Sequence, residues 1–156
     1  YSTYLEQAVE ASMAVPKLKA REVLPARPQD RAKPEVRKRM SAPAMRTFFN
    51  IADKWALSGR EQIAILGAPA ASTFYKYKAG DVGTLSLDLL TRVSLVLGIY
   101  KDLHILFPDA SLADRWIKLP NSNPMFGGRT PAEFIAQGEM DCLYRLRRLL
   151  DARRGG

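Results

Sequence analysis

The sequence predicts an all-α fold, and three observations carry that expectation. Apolar residues recur at three- and four-residue spacing in one segment after another. No stretch of useful length alternates apolar and polar residues. Two of the helical segments open on Ser or Thr followed three positions later by Glu, the pattern of a capping box. The 156 residues suffice for one ordinary domain or two small helical ones, and at 47% hydrophobic residues a packed core is within reach.

Taken in order, Leu5, Ala8, Val9, Ser12 and Met13 stand at helical spacing, which predicts a short amphipathic helix over 4–13. From Val15 to Pro43 the pattern breaks down. Pro16, Pro25, Pro28, Pro34 and Pro43 punctuate a Lys/Arg-rich stretch. Proline removes a backbone donor and fixes φ, so the expectation is a mobile basic arm without a long helix, serving either as a solubilising linker or as a grip on DNA.

Helical order is expected from Ala44 to about Leu57, with Met45, Phe48, Phe49, Ala52, Trp55 and Ala56 on one face. Ser58 and Glu61 cap a second helix through Leu66, stopped by Gly67-Ala68-Pro69, where glycine suits a left-handed cap. A third short helix, about Ala70–Ala79, ends at Gly80. Ser86 caps a fourth with Leu87, Leu90, Val93 and Leu97 inward, and a break near Tyr100 separates it from Leu103–Phe107. Ser111 with Asp114 caps the next helix, which carries Leu112, Trp116 and Leu119. Pro120–Arg129 reads as a loop. Thr130-Pro131-Ala132-Glu133 joins an N-cap, a proline at the first helical position and a capping-box Glu. The last helix runs from about Glu139 to Arg153, with Leu143, Leu146, Leu149 and Leu150 inward. Trp116 and Phe134 read as core. The expected organisation is a short helix and basic Pro-rich arm (1–43), a DNA-binding domain (44–107) and a smaller helical domain with a C-terminal tail (108–156).

Charge narrows the function. The chain carries 24 Lys+Arg against 16 Asp+Glu, a formal +8. Ten of those bases face only three acids in residues 15–46, while residues 47–156 hold fourteen against eleven. An excess of this kind points to a polyanionic partner. Cys142 is the lone cysteine and cannot staple the fold, so a reducing compartment, the cytoplasm, is expected. No apolar run approaches the roughly 20 residues of a membrane span, and Tyr1–Ala14 lack the build of a signal peptide. An enzyme is not expected. One histidine, His104, and one cysteine are too few for a zinc site or a convincing nucleophile–base pair. Phe126-Gly127-Gly128-Arg129 lacks the strand and lysine of a phosphate loop. No catalytic residue, metal or cofactor is assigned.

The three short helices of residues 44–80, two of them joined by a tight glycine turn, make a helix-turn-helix. In such a unit the first helix of the pair braces on the phosphate backbone and the second lies in the major groove. Phe74 and Tyr77 share the inner face, leaving Ser72, Thr73, Tyr75 and Lys76 outward for bases or phosphates. Lys78 and Arg60 suit phosphates. The same spacing also fits a plain helical hairpin with a solvated basic face.

The stretch from Ile63-Ala64-Ile65-Leu66-Gly67 through Ser72-Thr73-Phe74-Tyr75-Lys76-Tyr77-Lys78-Ala79-Gly80 resembles the Xre-type helix-turn-helix. Trp116-Ile117, Leu119-Pro120-Asn121, Phe126-Gly127-Gly128-Arg129-Thr130-Pro131, Gly138 and the ending Leu150-Asp151-Ala152-Arg153-Arg154-Gly155-Gly156 resemble the toxin-binding domain of the MbcA/ParS/Xre antitoxins. The likeness covers about residues 44–156. It implies an antitoxin that partners a RES-domain, NAD-consuming toxin, covers the toxin's active site with its C-terminal region, and binds its operon's promoter DNA as a homodimer within a larger complex. It also implies toxin-binding roles for Asn121, Phe126, Gly127, Gly128 and Arg129 in the loop and for Arg153, Arg154, Gly155 and Gly156 in the tail. Arginine's planar fork suits acidic groups, and two glycines make a thin end able to thread a cleft. Against this stand a basic C-terminus that merely complements the helix dipole and a loop that is merely a turn. The alternative for the whole chain is a stand-alone transcription regulator whose C-terminal half dimerises.

Overall fold

The computed structural model describes residue 30 and residues 32–155. The helix expected at 4–13, the arm up to residue 29 and Gly156 lie outside the described residues. Within them the chain is all-helical. Seven α-helices follow one another: α1 (Pro34–Lys54), α2 (Gly59–Ile65), α3 (Ala71–Lys78), α4 (Leu87–Leu106), α5 (Ala110–Trp116), α6 (Pro131–Ile135) and α7 (Met140–Arg154). A single 3-10 turn, Pro124–Phe126, stands between α5 and α6.

α1 corrects the expectation that residues up to 43 form an arm without a long helix, because it already begins at Pro34. Pro34 stands at the first helical position, where no N–H is needed. Pro43 does lie inside the helix and withholds the bond to the Arg39 carbonyl, a cost of about 3 kcal/mol. Burial of Met40, Ala44, Met45 and Phe48 around it outweighs that loss. The early turns are also tied down. Ser41 Oγ accepts from the Leu85 N–H at 2.9 Å, and Arg37 Nη1 donates to the Leu85 carbonyl at 3.1 Å. Both backbone polar groups of Leu85, in the loop ahead of α4, thus dock on α1.

Both capping boxes form as the sequence predicts, Ser58 with Glu61 and Thr130 with Glu133. Ser86 caps α4 through the Leu89 N–H. Three details differ from expectation, and the first is that Leu87, expected inward, stands 43% exposed on the first turn of α4. α4 passes Tyr100 without a break, because mid-helix Gly98 costs only about 1 kcal/mol while Val96, Ile99, Tyr100 and Leu103 are all buried around it. α5 is capped by Asp109, whose carboxylate accepts from the Ser111 N–H, rather than by Ser111 with Asp114. Asp114 turns inward to His104 Nε2 at 2.8 Å.

α4 is buried on nearly every side and forms the axis of the fold. α1 packs along one flank, α7 and α5 along others, α3 leans on α1, and α6 on α7. One apolar core runs from Met40 in α1 to Leu150 in α7, so both expected domains share it. No helix among the described residues is long and apolar enough to cross a membrane.

Candidate functional site

Two sets of surface residues are held by this frame. The first lies on α2 and α3. α2 ends at Ile65 with Leu66 as its cap, and the chain turns through Gly67 (φ 88°) and Ala68 (φ 59°), both left-handed, before α3 begins. Phe74 is fully buried, edge-on to Phe49 at 5.7 Å, and anchors α3 to α1. Tyr77 is half-buried beside it. The opposite face presents Ser72, Tyr75 and Lys76 to solvent, with Thr73 half-buried. Tyr75 is 61% exposed, an unusual position for a large ring. Lys78 leans back over the Phe74 ring at 6.0 Å. Arg60 is exposed on the first turn of α2. Burial works against the nearby Glu61 carboxylate, but the Ser58 N–H and the Lys118 ammonium, 3.3 Å away, together hold it below the ordinary range.

The second set lies in the loop between α5 and α6 and at the end of α7. Asn121 Oδ1 accepts from the Asn123 N–H and Asn123 Oδ1 from the Met125 N–H, each at 2.9 Å, two successive side-chain-closed turns. Phe126 is fully buried, its ring edge-on to Phe134 at 5.3 Å. It therefore supports the loop from beneath rather than facing outward. Gly127 (φ 60°) and Gly128 (φ 83°) carry the chain over that ring to the exposed Arg129.

The tail differs from a loose end. α7 continues through Arg154, and Gly155 (φ 98°) closes it as a left-handed cap. Arg153 is exposed. Arg154 turns back, Nε to Asp102 and Nη2 to Asp151, both at 3.5 Å. Asp102, on α4, is fully buried and pairs closely with Arg147, which also meets Asp151 at 2.6 Å. Burial pushes the Asp102 carboxyl above the ordinary carboxylate range, against the pull of Arg147 and Arg154. Gly98 makes room for this cluster, since a Cβ there would lie 2.3 Å from Arg147 Nε. The spacing of Gly98 and Asp102, one turn apart on a largely buried helix, was the signal available in sequence.

His104 and Cys142 both belong to the interior. The His104 ring packs at a tilt against Tyr100, their centroids 4.3 Å apart, and burial pushes the Cys142 thiol up, away from the reactive thiolate. Among the described residues no cluster of three or more His, Cys, Asp or Glu could hold a metal ion.

Comparison with known proteins follows this division of surfaces. Residues 34–98 match the antitoxin Xre-like helix-turn-helix domain, and residues 102–156 match the antitoxin Xre/MbcA/ParS C-terminal toxin-binding domain. Uncharacterized protein y4oB of Sinorhizobium fredii (strain NBRC 101917 / NGR234) is 45% identical over 112 residues, which make up 72% of this chain and 84% of that protein. No solved structure matches the chain.

Proposed function

The chain belongs to the Xre/MbcA/ParS antitoxin family, and from that premise we propose that it neutralises a RES-type, NAD-consuming toxin in the cytoplasm while repressing its own operon. It acts by binding and not by catalysis. The C-terminal region, carrying Asn121, Gly127, Gly128, Arg129, Arg153 and the terminal glycines, covers the toxin's active site. The outward face of α3 reads promoter DNA, two copies of the chain supplying two such helices.

The observation that best supports the DNA half is the polarity of α3. One buried ring fixes the helix, and Ser72, Tyr75 and Lys76 stand together on its free face. Ala70 supplies no side-chain cap, leaving the N–H groups of the first turn open to a phosphate. Arg60 and Lys78 add charge at either side. Lys76→Ala should weaken binding to the operon's promoter and lower the salt slope of log K by about 0.9 if the ammonium meets one phosphate. An unchanged slope and affinity in titrations at several salt concentrations would move Lys76 off the interface.

Co-expression with the toxin encoded beside it tests the other half. The full chain should restore growth and co-purify with the toxin in a fixed ratio. Removing only Gly155 and Gly156 spares the Arg154 ion pairs, so a loss of rescue there belongs to the tail itself. Full rescue by that shortened chain would dismiss the tail mechanism. Failure of the whole chain to capture any toxin would leave an ordinary helix-turn-helix regulator.

A further inference from the structure

The turn that aims α3 is strained and is held from the other half of the chain. Ala68 adopts φ 59°, a left-handed conformation in which a Cβ crowds the carbonyl oxygen that follows it. Such residues persist where their surroundings over-determine them. The surroundings here centre on Arg92, near the start of α4 and with a side chain only 11% exposed. Its Nη1 donates to the Ile65 carbonyl at 3.2 Å, one of the carbonyls that the end of α2 leaves without a helical partner. The same nitrogen donates to the Gly138 carbonyl at 2.8 Å, in the turn between α6 and α7. Asp88 steadies the guanidinium through Nε at 3.1 Å.

Two glycines make this contact possible. A Cβ on Gly67 would lie 2.9 Å from Arg92 Nε, and one on Gly138 would lie 3.3 Å from the Ala64 carbonyl oxygen. The backbones of the two turns therefore meet with the arginine between them.

We propose that Arg92 is a positioning residue for DNA reading: it locks the strained α2–α3 turn, and so the aim of α3, against the α6–α7 turn of the toxin-binding region. The inference rests on α3 being the DNA-reading helix. It makes promoter affinity depend on a contact whose far end is in the region assigned to the toxin.

The test measures three quantities on the full chain: affinity for a duplex spanning its own promoter, capture of the neighbouring toxin, and thermal unfolding. Arg92→Ala should lower promoter affinity about tenfold or more at a temperature where the variant is fully helical, with toxin capture changed less than about twofold. Gly138→Ala, which touches no residue of α3, should lower promoter affinity in the same direction. Should Arg92→Ala fail to fold, Arg92→Lys keeps the charge but not the planar fork and should show a smaller loss of the same kind. Wild-type promoter affinity in the folded arginine variants, or equal losses of promoter and toxin binding, would overturn the proposal. A wild-type chain that does not bind the promoter would instead remove the reading of α3 on which it stands.

Discussion

Replacing Phe126 with alanine should lower the unfolding free energy by roughly 3–5 kcal/mol, the usual cost of emptying a fully buried aromatic site. Against a total stability of about 5–15 kcal/mol for a chain of this kind, that is a large fraction. The ring is wholly enclosed and meets Phe134 edge-on, so its loss leaves a cavity beneath the Asn121–Arg129 loop. Toxin neutralisation should fall with it, through the collapse of the loop. Arg129→Ala separates support from contact: Arg129 is exposed, so its stability should stay within about 0.5 kcal/mol of wild type while toxin affinity drops. Urea denaturation beside toxin capture distinguishes the two variants. A Phe126→Ala chain with an unchanged urea midpoint but poor capture would place the ring on the surface after all.

Arg147→Ala should be comparably damaging for a different reason. It strips the closest partner from a fully buried carboxylate, and breaking such a pair costs about 3–5 kcal/mol. The lower end applies, because Arg147 is itself 27% exposed and Arg154 remains nearby. Asp102→Asn should be milder, since it removes the buried charge and leaves arginines able to reach water. The pH dependence gives the sign. Burial holds the Asp102 carboxyl above its ordinary value of 3.8, so its contribution to stability is complete below that value and declines as pH rises through the folded one. Arg147 opposes this shift, and without it the carboxyl moves further up. The gap between wild type and Arg147→Ala should therefore be narrower at about pH 5 than at about pH 7.5. A gap that widens in acid would show the carboxylate to be adequately solvated.

The elements closed by local chemistry were legible in the residues. Ser58 with Glu61, Thr130 with Glu133, and Gly67 each act within one turn of themselves, and periodicity picked out Phe74 as the anchor of α3. What escaped depends on distant partners. Pro43 reads as a helix breaker until the burial around it is counted, and the early turns of α1 are secured by Leu85, more than forty positions away. Asp114 has the spacing of a cap residue but is claimed by His104 across the interior. The same limit applied to the candidate sites. Phe126 sits in a loop of turn-forming residues, which hides its burial. Arg154 reads as a free basic end, although Asp102 draws it back onto α4.

Because α4 is the axis for both surfaces, the two activities proposed for this chain have a common lifetime. Opening α4 removes the wall against which α1 rests and the wall against which α7 rests, so unfolding should be a single cooperative event with no surviving half. A cellular protease that captures the opened chain would then free the promoter and the toxin together. Derepression of the operon and release of the poison would be timed by one degradation rate.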